Sequence, residues 1–268
     1  MTEIQAAVAA AREAGALLRD AFGRSHTVAL KRTAIDLVTE MDQAAEALII
    51  ERLQAAFPDY GFLTEESPAL TGADNARWVI DPIDGTTNYA HGYPLFAVSI
   101  ALERAGQLVL GVVYNPIADE LFTAKKGHGA FLNGCPIHVS EATTLQESLL
   151  ATGFPYDVWD SEDDNTTEWR QFLKRARSLR CDGSAALDLC FVACGRLDGY
   201  WEHGLEPWDM AAGALIVSEA GAQVTDYRGG EDFIASRQVV AANPHLHAEM
   251  LAVLQMCALI NLNQPLSY

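Results

Sequence analysis

Apolar side chains recur every three or four positions from Ile4 to Phe22, which is the spacing of an amphipathic helix. A second helix is predicted to begin at Thr39, because the threonine hydroxyl can cap its first turn and Asp42 follows three residues later. The pattern therefore predicts two helices before the first main strand of the chain.

Short β-forming runs replace the helical spacing after the second helix. Residues 78–80 are an apolar run that predicts a buried strand, ended by Asp81-Pro82 because proline lacks an amide donor. Between residues 96 and 139, further runs are separated by Ala105-Gly106 and Asn115-Pro116, and this punctuation predicts an antiparallel meander. The middle of the chain is thus expected to form mostly antiparallel sheet.

Helix and strand patterns alternate in the rest of the chain, after an acidic stretch at residues 157–167 that predicts a surface loop. They predict helices at 168–178, 184–195 and 208–220, strands at 197–201 and 239–241, and a last helix opened by Asn243-Pro244. Helices alternating around antiparallel sheet indicate a layered α+β fold. The 268 residues suit a single domain, with an N-terminal α+β half at about 1–145 and a C-terminal α/β half at about 146–268.

Acidic residues outnumber basic ones by two to one. The chain has 36 Asp and Glu against 18 Lys and Arg, so its formal net charge is −18. A surface of this charge repels nucleic-acid phosphates and anionic lipid, so neither direct nucleic-acid binding nor membrane association is expected. An anionic substrate would need a local reversal of sign at its site, and a divalent cation is the simplest way to provide it.

The N-terminus and the cysteines point to a cytoplasmic protein. Residues 1–4 show no basic stretch followed by an apolar run, and no stretch approaches 18 apolar residues without charge, so neither a signal peptide nor a membrane span is predicted. The five cysteines are odd in number and lack framework spacing, which favours reduced thiols.

Residues 78–88, WVIDPIDGTTN, carry the most informative chemistry of the chain. The strand delivers Asp81 to its end, Asp84-Gly85 makes a tight turn, and a helix is predicted to begin at Thr86. Two carboxylates three residues apart can converge on one cation, and oxygen ligands suit Mg²⁺. Amides at the following helix N-terminus can donate to a phosphate. A turn with helix-capping aspartates accounts equally well for this segment alone.

Further acidic side chains lie elsewhere in the chain. Glu65 follows a short apolar run, Asp209 lies in the first turn of a predicted helix, and Asp36 and Asp42 lie around the start of the second helix. Helix capping or an exposed turn is the ordinary explanation for each. Packed without cations, two carboxylates ~4 Å apart repel by about 4 kcal/mol even at an effective dielectric of ~20, so a cluster of them makes sense if divalent ions fill it.

As a set, these residues resemble the inositol monophosphatase family. Residues 78–88 match its principal signature and residues 201–213 its second, while 36–39 and 183–188 match two shorter blocks in the right order. Thr64 departs from the pattern, since many relatives have glycine before the Glu-Glu pair. The resemblance implies the layered αβαβα sandwich of the inositol monophosphatase and fructose-1,6-bisphosphatase type. It also implies a Mg²⁺-dependent, lithium-sensitive phosphatase in which metal-activated water attacks the phosphate.

The resemblance implies two or three Mg²⁺ ions, each with its own ligands. The first is expected at Glu65, Asp81 and the carbonyl of Ile83, and the second at Asp81, Asp84 and Asp209. A weaker third ion would share Glu65.

The resemblance also implies contacts to substrate and water. Gly85 and Thr86 are expected to hold the phosphate through their amides, while Thr86, bonded to Asp42, helps Glu65 and its metal to activate the water. The implied contacts to the alcohol part are Gly183, Ser184, Ala185, Glu202 and Asp209.

The resemblance indicates the residues of the metal core more closely than it indicates the substrate or the role of the protein. Inositol 1-phosphate is favoured by Glu202 and by the modest length, while fructose 1,6-bisphosphate, histidinol phosphate and a 3′-phosphoadenosine nucleotide remain alternatives within the same chemistry. The alternative of a different class is a regulatory protein that retains the fold and binds other proteins. The family further implies a homodimer.

Overall fold

The computed structural model describes residues 1–24, 27–31, 33 and 35–263. The first part contains the helices α1 (Glu3–Ala21), α2 (Glu40–Ala56) and α3 (Thr86–Ala90). Its strands are β1 (Val28–Leu30), β2 (Leu37–Thr39), β3 (Gly61–Thr64), β4 (Ala76–Asp84), β5 (Ala97–Arg104), β6 (Gln107–Asn115), β7 (Glu120–Lys125), β8 (Ala130–Leu132) and β9 (Cys135–Ile137). Strands β1 and β2 pair with each other, and β3 to β9 form a seven-stranded sheet in chain order. The predicted meander is confirmed, because β5, β6 and β7 are antiparallel neighbours.

The second part follows a 3₁₀ turn at Leu145–Glu147. Its helices are α4 (Thr166–Leu173), α5 (Ala185–Ala193), α6 (Pro207–Glu219), α7 (Phe233–Ser236) and α8 (Pro244–Asn263). Its strands are β10 (Leu149–Thr152), β11 (Ser178–Arg180), β12 (Gly199–His203), β13 (Gln223–Thr225) and β14 (Gln238–Ala242). They form a five-stranded sheet in the order β11-β10-β12-β14-β13, in which β10 is parallel to both of its neighbours. The division into halves near residue 145 stays a prediction.

Three hydrophobic clusters define the layers. One packs α1 and α2 against one face of the seven-stranded sheet, and another packs α4 and α8 against the outer face of the five-stranded sheet. Between the two sheets, α5 and α6 bury apolar side chains against both. The order is therefore helix, sheet, helix, sheet, helix, and the predicted layered α+β sandwich is confirmed.

The start of α2 follows directly from its sequence. The Thr39 hydroxyl accepts from the Met41 amide at 3.1 Å, and the Thr39 amide donates to Asp42 Oδ2 at 2.7 Å. This reciprocal capping satisfies amides that the first turn leaves without intrahelical partners. The predicted helix start is confirmed, and the aspartate that completes the cap is buried beside the cavity described below.

The predicted end of the strand at residues 78–80 was wrong. Strand β4 continues through Pro82 to Asp84, and its register against β5 shifts between Asp81 and Asp84. A proline lacks the ladder donor, and this register shift is where the ladder can tolerate its absence. The bend therefore lies inside the strand, with one aspartate on either side of it.

The predicted helix at 168–178 was also wrong at its C-terminal end. Helix α4 ends at Leu173, and residues 178–180 form the short strand β11 beside β10. Three residues are too few for a periodic signal, and the parallel pairing with β10 depends on residues far away in the chain. The strand predicted at 197–201 lies at Gly199–His203. Within the described residues, no helix combines the length and apolarity needed to cross a membrane.

Candidate active site

A cavity of about 830 Å³ opens where the ends of β4 and β12 meet the first turns of α5 and α6. Twelve of the residues singled out from the sequence line it: Asp36, Glu65, Asp81, Ile83, Asp84, Gly85, Thr86, Gly183, Ser184, Ala185, Glu202 and Asp209. Asp42 lies behind this wall, fully buried, and reaches it through a hydrogen bond with Thr86. Asp157 and Asp163 of the acidic loop also line the cavity, so this loop forms part of its rim.

Two of the carboxylates are positioned by β4 and its neighbours. Asp81 Oδ1 accepts from the Ile83 amide at 3.0 Å, which holds this side chain against its own strand. Asp84 Oδ2 accepts from the Ala186 amide at 2.9 Å and from the Ser184 hydroxyl. These are donors at the N-terminus of α5, where a negative charge is favoured. The strand end and the helix start are thus joined through Asp84.

Asp209 both caps a helix and faces the cavity. Helix α6 begins with Pro207, whose fixed backbone angle suits a first helical position, and the Glu206 amide donates to Asp209 Oδ2 at 2.7 Å. The ordinary capping explanation therefore holds for this aspartate. The same side chain lines the cavity and lies close enough to Asp84 and Glu65 to be affected by their charge.

Glu65 follows β3 and forms a salt bridge with Lys31. Lys31 Nζ lies 2.6 Å from Glu65 Oε1 and also bonds the Glu66 carboxylate. Sequence reasoning did not single out Lys31 as a site residue. The one available signal was a lysine near the start of the block that carries Asp36 and Asp42.

Glu65, Asp81, Asp84 and Asp209, here called the carboxylate cluster, resist ionisation. Burial raises the pKa of Glu65 to about 7 against the pull of Lys31, and raises the pKa of Asp84 to about 6 against its donors on α5. Burial, followed by the charges of the other cluster members, holds the pKa values of Asp81 and Asp209 well above their usual range. The cluster therefore binds protons unless a cation offsets its charge.

The donor chemistry of the cluster fits Mg²⁺. Carboxylates and the Ile83 carbonyl are hard oxygen ligands, and a divalent ion would offset the negative charge that burial makes costly. In the part of the chain that the structure describes, no three Asp, Glu, His or Cys side chains are already arranged around one metal position.

Thr86 connects the cavity to Asp42. Its hydroxyl oxygen lies 2.9 Å from Asp42 Oδ1 and 3.0 Å from the Ile83 carbonyl oxygen, so its single proton has two acceptors within reach. Burial raises the pKa of Asp42, while donors from Thr39 and Thr86 oppose the shift. The lone pairs of the threonine oxygen are available to orient a water in the cavity.

Two residues bring the start of α3 close to the loop before α5. Gly85 has φ +99°, and a Cβ there would lie 3.1 Å from the Gly183 carbonyl oxygen, so both its conformation and its surroundings favour glycine. Asn88 Nδ2 donates to the carbonyl oxygens of Leu95 and Asp182, both at 2.8 Å. The sequence placed Asn88 in a helix start but did not indicate that its amide joins the two sides of the cavity.

Glu202 also lines the cavity, close enough to Asp84 and Asp209 for their charges to interact. Tyr200 donates its hydroxyl to Glu202 Oε2, and burial raises the pKa of this carboxyl to about 7. A Cβ on Gly153 would collide with the Glu202 carboxylate, although the Gly153 backbone itself does not require glycine. Sequence reasoning missed Gly153, because its contact lies 49 residues away and no local pattern marks it.

The chain is similar to known proteins over nearly its whole length. A family model described as the inositol monophosphatase family matches residues 1–258. Inositol-1-monophosphatase of Mesorhizobium japonicum is 45% identical over 247 residues, covering 91% of this chain and 92% of that protein. Nus factor SuhB of Escherichia coli K12 is 44% identical over 248 residues, covering 92% and 93%. The crystal structure of extragenic suppressor protein suhB from Bartonella henselae aligns with a TM-score of 0.89 at 43% identity, covering 94% of this chain and 98% of that one.

Proposed function

The chain belongs to the inositol monophosphatase family, and from this membership we propose that it hydrolyses inositol 1-phosphate to inositol and phosphate. It is a Mg²⁺-dependent hydrolase of phosphate monoesters. The observation that carries the proposal is the carboxylate cluster, whose buried members have raised pKa values and line the same cavity as Glu202. Such a site suits a metal-bound phosphate joined to a polyhydroxylated alcohol.

We propose two or three Mg²⁺ ions in this site. Glu65, Asp81 and the Ile83 carbonyl would hold the first, Asp81, Asp84 and Asp209 the second, and a third would share Glu65. When bound, such ions lower the pKa of water and stabilise charge on the phosphoryl and leaving oxygens. The high pKa values of the cluster support this role, since a cation is what would let all four side chains ionise together.

The protein's own residues would orient the water and the phosphate. The Thr86 hydroxyl, donating to Asp42, would accept a hydrogen bond from the attacking water and point its lone pair at phosphorus. Glu65, beside the first ion, would help to take up the proton. The amides of Gly85 and Thr86 at the start of α3 would donate to phosphoryl oxygens, which carry the charge of the transition state.

The remaining contacts would select the alcohol. We propose that Glu202 and Asp209 accept hydrogen bonds from its hydroxyl groups, and that Gly183, Ser184 and Ala185 at the start of α5 line the ring. The Ser184 hydroxyl is bonded to Asp84, so any contribution from it to the substrate passes through a residue of the cluster. A small-molecule substrate also agrees with the charge of −18, which opposes direct nucleic-acid and membrane contacts.

A substrate panel tests this proposal. We expect inositol 1-phosphate to give the largest kcat/KM in Mg²⁺, no turnover in EDTA, and inhibition by lithium. A much larger kcat/KM for fructose 1,6-bisphosphate, histidinol phosphate or a 3′-phosphoadenosine nucleotide would overturn the substrate assignment and leave the reaction class in place. Uninhibited activity in lithium would contradict only the lithium prediction.

The second candidate is a regulatory role through a protein partner. It is favoured by relatives at 44% identity that carry the name Nus factor SuhB. Co-purification of one specific protein partner, together with no phosphatase activity in Mg²⁺, would replace the enzymatic proposal with this one. Phosphatase activity and a partner together would support both roles.

We propose that the enzyme works in the cytoplasm as a homodimer. The five cysteines are all free, which suits a reducing compartment. The dimer rests on family resemblance alone. Light scattering coupled to size-exclusion chromatography gives the mass directly, and a value matching one chain of 29.1 kDa would contradict the dimer.

A further inference from the structure

Glu46 is a buried carboxylate in the middle of α2 that the proposed reaction does not use. Its exposed fraction is 2%, and the same helix face buries Ala45, Ile49 and Leu53 against the sheet. A charged side chain at such a position is costly unless hydrogen bonds compensate for the lost water. We therefore expect a hydrogen-bond donor of structural importance beside Glu46.

The partner of Glu46 is the turn that presents a proposed metal ligand. Glu46 Oε2 accepts from the Glu66 amide at 2.8 Å, one residue beyond Glu65. Strand β3 ends at Thr64, so Glu65 and Glu66 lie outside the sheet ladder that would otherwise hold their backbone. The Glu46 carboxylate instead holds the backbone here, because it accepts from the amide of the first residue after Glu65.

Helix α2 holds a second part of the site one turn earlier. Asp42 accepts from the Thr86 hydroxyl at 2.9 Å, and Glu46 follows Asp42 by four residues on the same face. Four residues correspond to a rise of about 6 Å along a helix. One rigid helix therefore sets the spacing between Thr86, which would orient the water, and the turn that carries Glu65.

We propose that Glu46 is a positioning residue for Glu65. By holding the Glu66 amide, Glu46 fixes the backbone next to Glu65. The Glu65 carboxylate is thereby held in the position, relative to Thr86, that the first Mg²⁺ ion would require. This inference rests on the proposed function, because it assigns Glu65 to a metal. It goes beyond that function in extending the site to a residue that does not line the cavity.

Mn²⁺ binding to the substrate-free protein, measured by isothermal titration calorimetry, tests the proposal. Glu46→Leu removes the acceptor and leaves the Glu66 amide unsatisfied, so we expect binding about tenfold weaker than in the wild type. Glu46→Gln keeps an acceptor oxygen at the same reach and should stay within about twofold. The matched control is Ile49→Val on the same helix face, which should lower the melting temperature without changing the Mn²⁺ affinity.

Two kinetic readouts separate positioning from a general loss of structure. In Glu46→Leu the Mg²⁺ concentration for half-maximal activity should rise about tenfold, while KM for the substrate at saturating Mg²⁺ changes much less. If Glu46→Leu does not fold, Glu46→Asp draws the acceptor back by one methylene and should weaken Mn²⁺ binding several-fold.

Several outcomes would overturn the proposal. They are wild-type Mn²⁺ affinity in folded Glu46→Leu or Glu46→Asp, or a loss in Glu46→Gln as large as in Glu46→Leu. A wild-type protein without phosphatase activity in Mg²⁺ would refute the proposed function instead. The two failures are therefore distinguishable.

Discussion

On the outer surface, acidic side chains pair with arginines. Arg77 lies 2.9 Å from Glu103, and Arg196 forms a two-pronged contact with Glu120. In the cavity the arrangement is different. The carboxylate cluster has four acidic members, and in the described ranges its ion pair is the one between Lys31 and Glu65.

The difference shows where acidity has a chemical use. In each surface ion pair the two charges cancel, and water and salt screen their attraction, so each pair contributes little to stability. The cluster places an excess of carboxylates among buried atoms, and burial is the largest cause of their raised pKa values. Such an excess destabilises the folded protein, but it provides strong binding for a divalent cation.

The largest expected effect comes from neutralising one member of the cluster. Asp84→Asn or Asp209→Asn should lower kcat/KM by about 10³-fold and weaken Mn²⁺ binding, because each removes a charge from the proposed second metal position. Both variants should keep the wild-type circular dichroism spectrum.

The control for this change is Asp226→Asn in the second part of the chain. Asp226 Oδ1 accepts from the amides of Arg228 and Gly230 in a surface turn, and asparagine keeps that acceptor. Its kcat/KM should stay within about twofold of the wild type. Equal losses in Asp84→Asn, Asp209→Asn and Asp226→Asn would refute the site assignment.

The next largest effect concerns Gly153 and Glu202, which line the same cavity as the cluster. Gly153→Ala places a methyl group against the Glu202 carboxylate and should move it within the cavity. We expect KM for inositol 1-phosphate to rise about tenfold with a smaller change in kcat, since the alcohol loses its contact and the metal positions do not change. Steady-state kinetics at saturating Mg²⁺ measures this split. A fall in kcat with unchanged KM would contradict the proposed role of Glu202.

Local signals in the sequence were sufficient where the interactions are local. The cap formed by Thr39 and Asp42 spans three residues, and the start of α2 could be predicted from it. The strand into Asp81 was equally visible, because its apolar residues are consecutive and both of its faces are buried. The end of that strand was not, since the shift in register depends on β5.

Long-range contacts explain what the sequence could not show. Asp84 bonds Ser184 across 100 residues and Lys31 bonds Glu65 across 34, and no periodicity or turn pattern encodes either contact. Asp81, Asp84 and Asp209 were predictable because they lie in two long segments that resemble family signatures, and Glu65 because its Glu-Glu pair fits the same resemblance. Glu46, which lies behind the cavity, and Gly153, which lines it, belong to no such signature, and only their three-dimensional contacts identify them.

A smaller effect should appear in the pH dependence of stability without metal. The pKa of Glu65 rises from 4.5 to about 7 and that of Asp84 from 3.8 to about 6 on folding. At a pH between the unfolded and folded pKa values of these two groups, the folded protein binds more protons than the unfolded chain. The free energy of unfolding therefore falls as pH rises from about 4 to 7.

Thermal melts in EDTA and in Mg²⁺ measure this effect. We expect the melting temperature in EDTA to fall by about 5 °C between pH 5 and pH 8, and the fall to shrink in saturating Mg²⁺. Surface acids paired with arginine should contribute little to it. A melting temperature that rises with pH in EDTA would contradict the raised pKa values.

The smallest expected effect comes from replacing Lys31, whose ammonium group and a bound Mg²⁺ ion would both neutralise Glu65. Lys31→Met should lower the melting temperature in EDTA by about 3 °C, because Glu65 and Glu66 lose their partner in a half-buried setting. Saturating Mg²⁺ should narrow the difference from the wild type. Arg77→Met at the exposed pair with Glu103 should change the melting temperature by about 1 °C or less, with or without Mg²⁺. A Lys31→Met deficit that Mg²⁺ leaves unchanged would show that the lysine does not share its position with the metal.

Anomalous diffraction from a crystal soaked in Mn²⁺ tests the central claim most directly. We predict two or three anomalous peaks within coordination distance of Glu65, Asp81, Asp84 and Asp209, with Lys31 displaced from Glu65. Peaks confined to surface carboxylates, with none among these four side chains, would contradict the account.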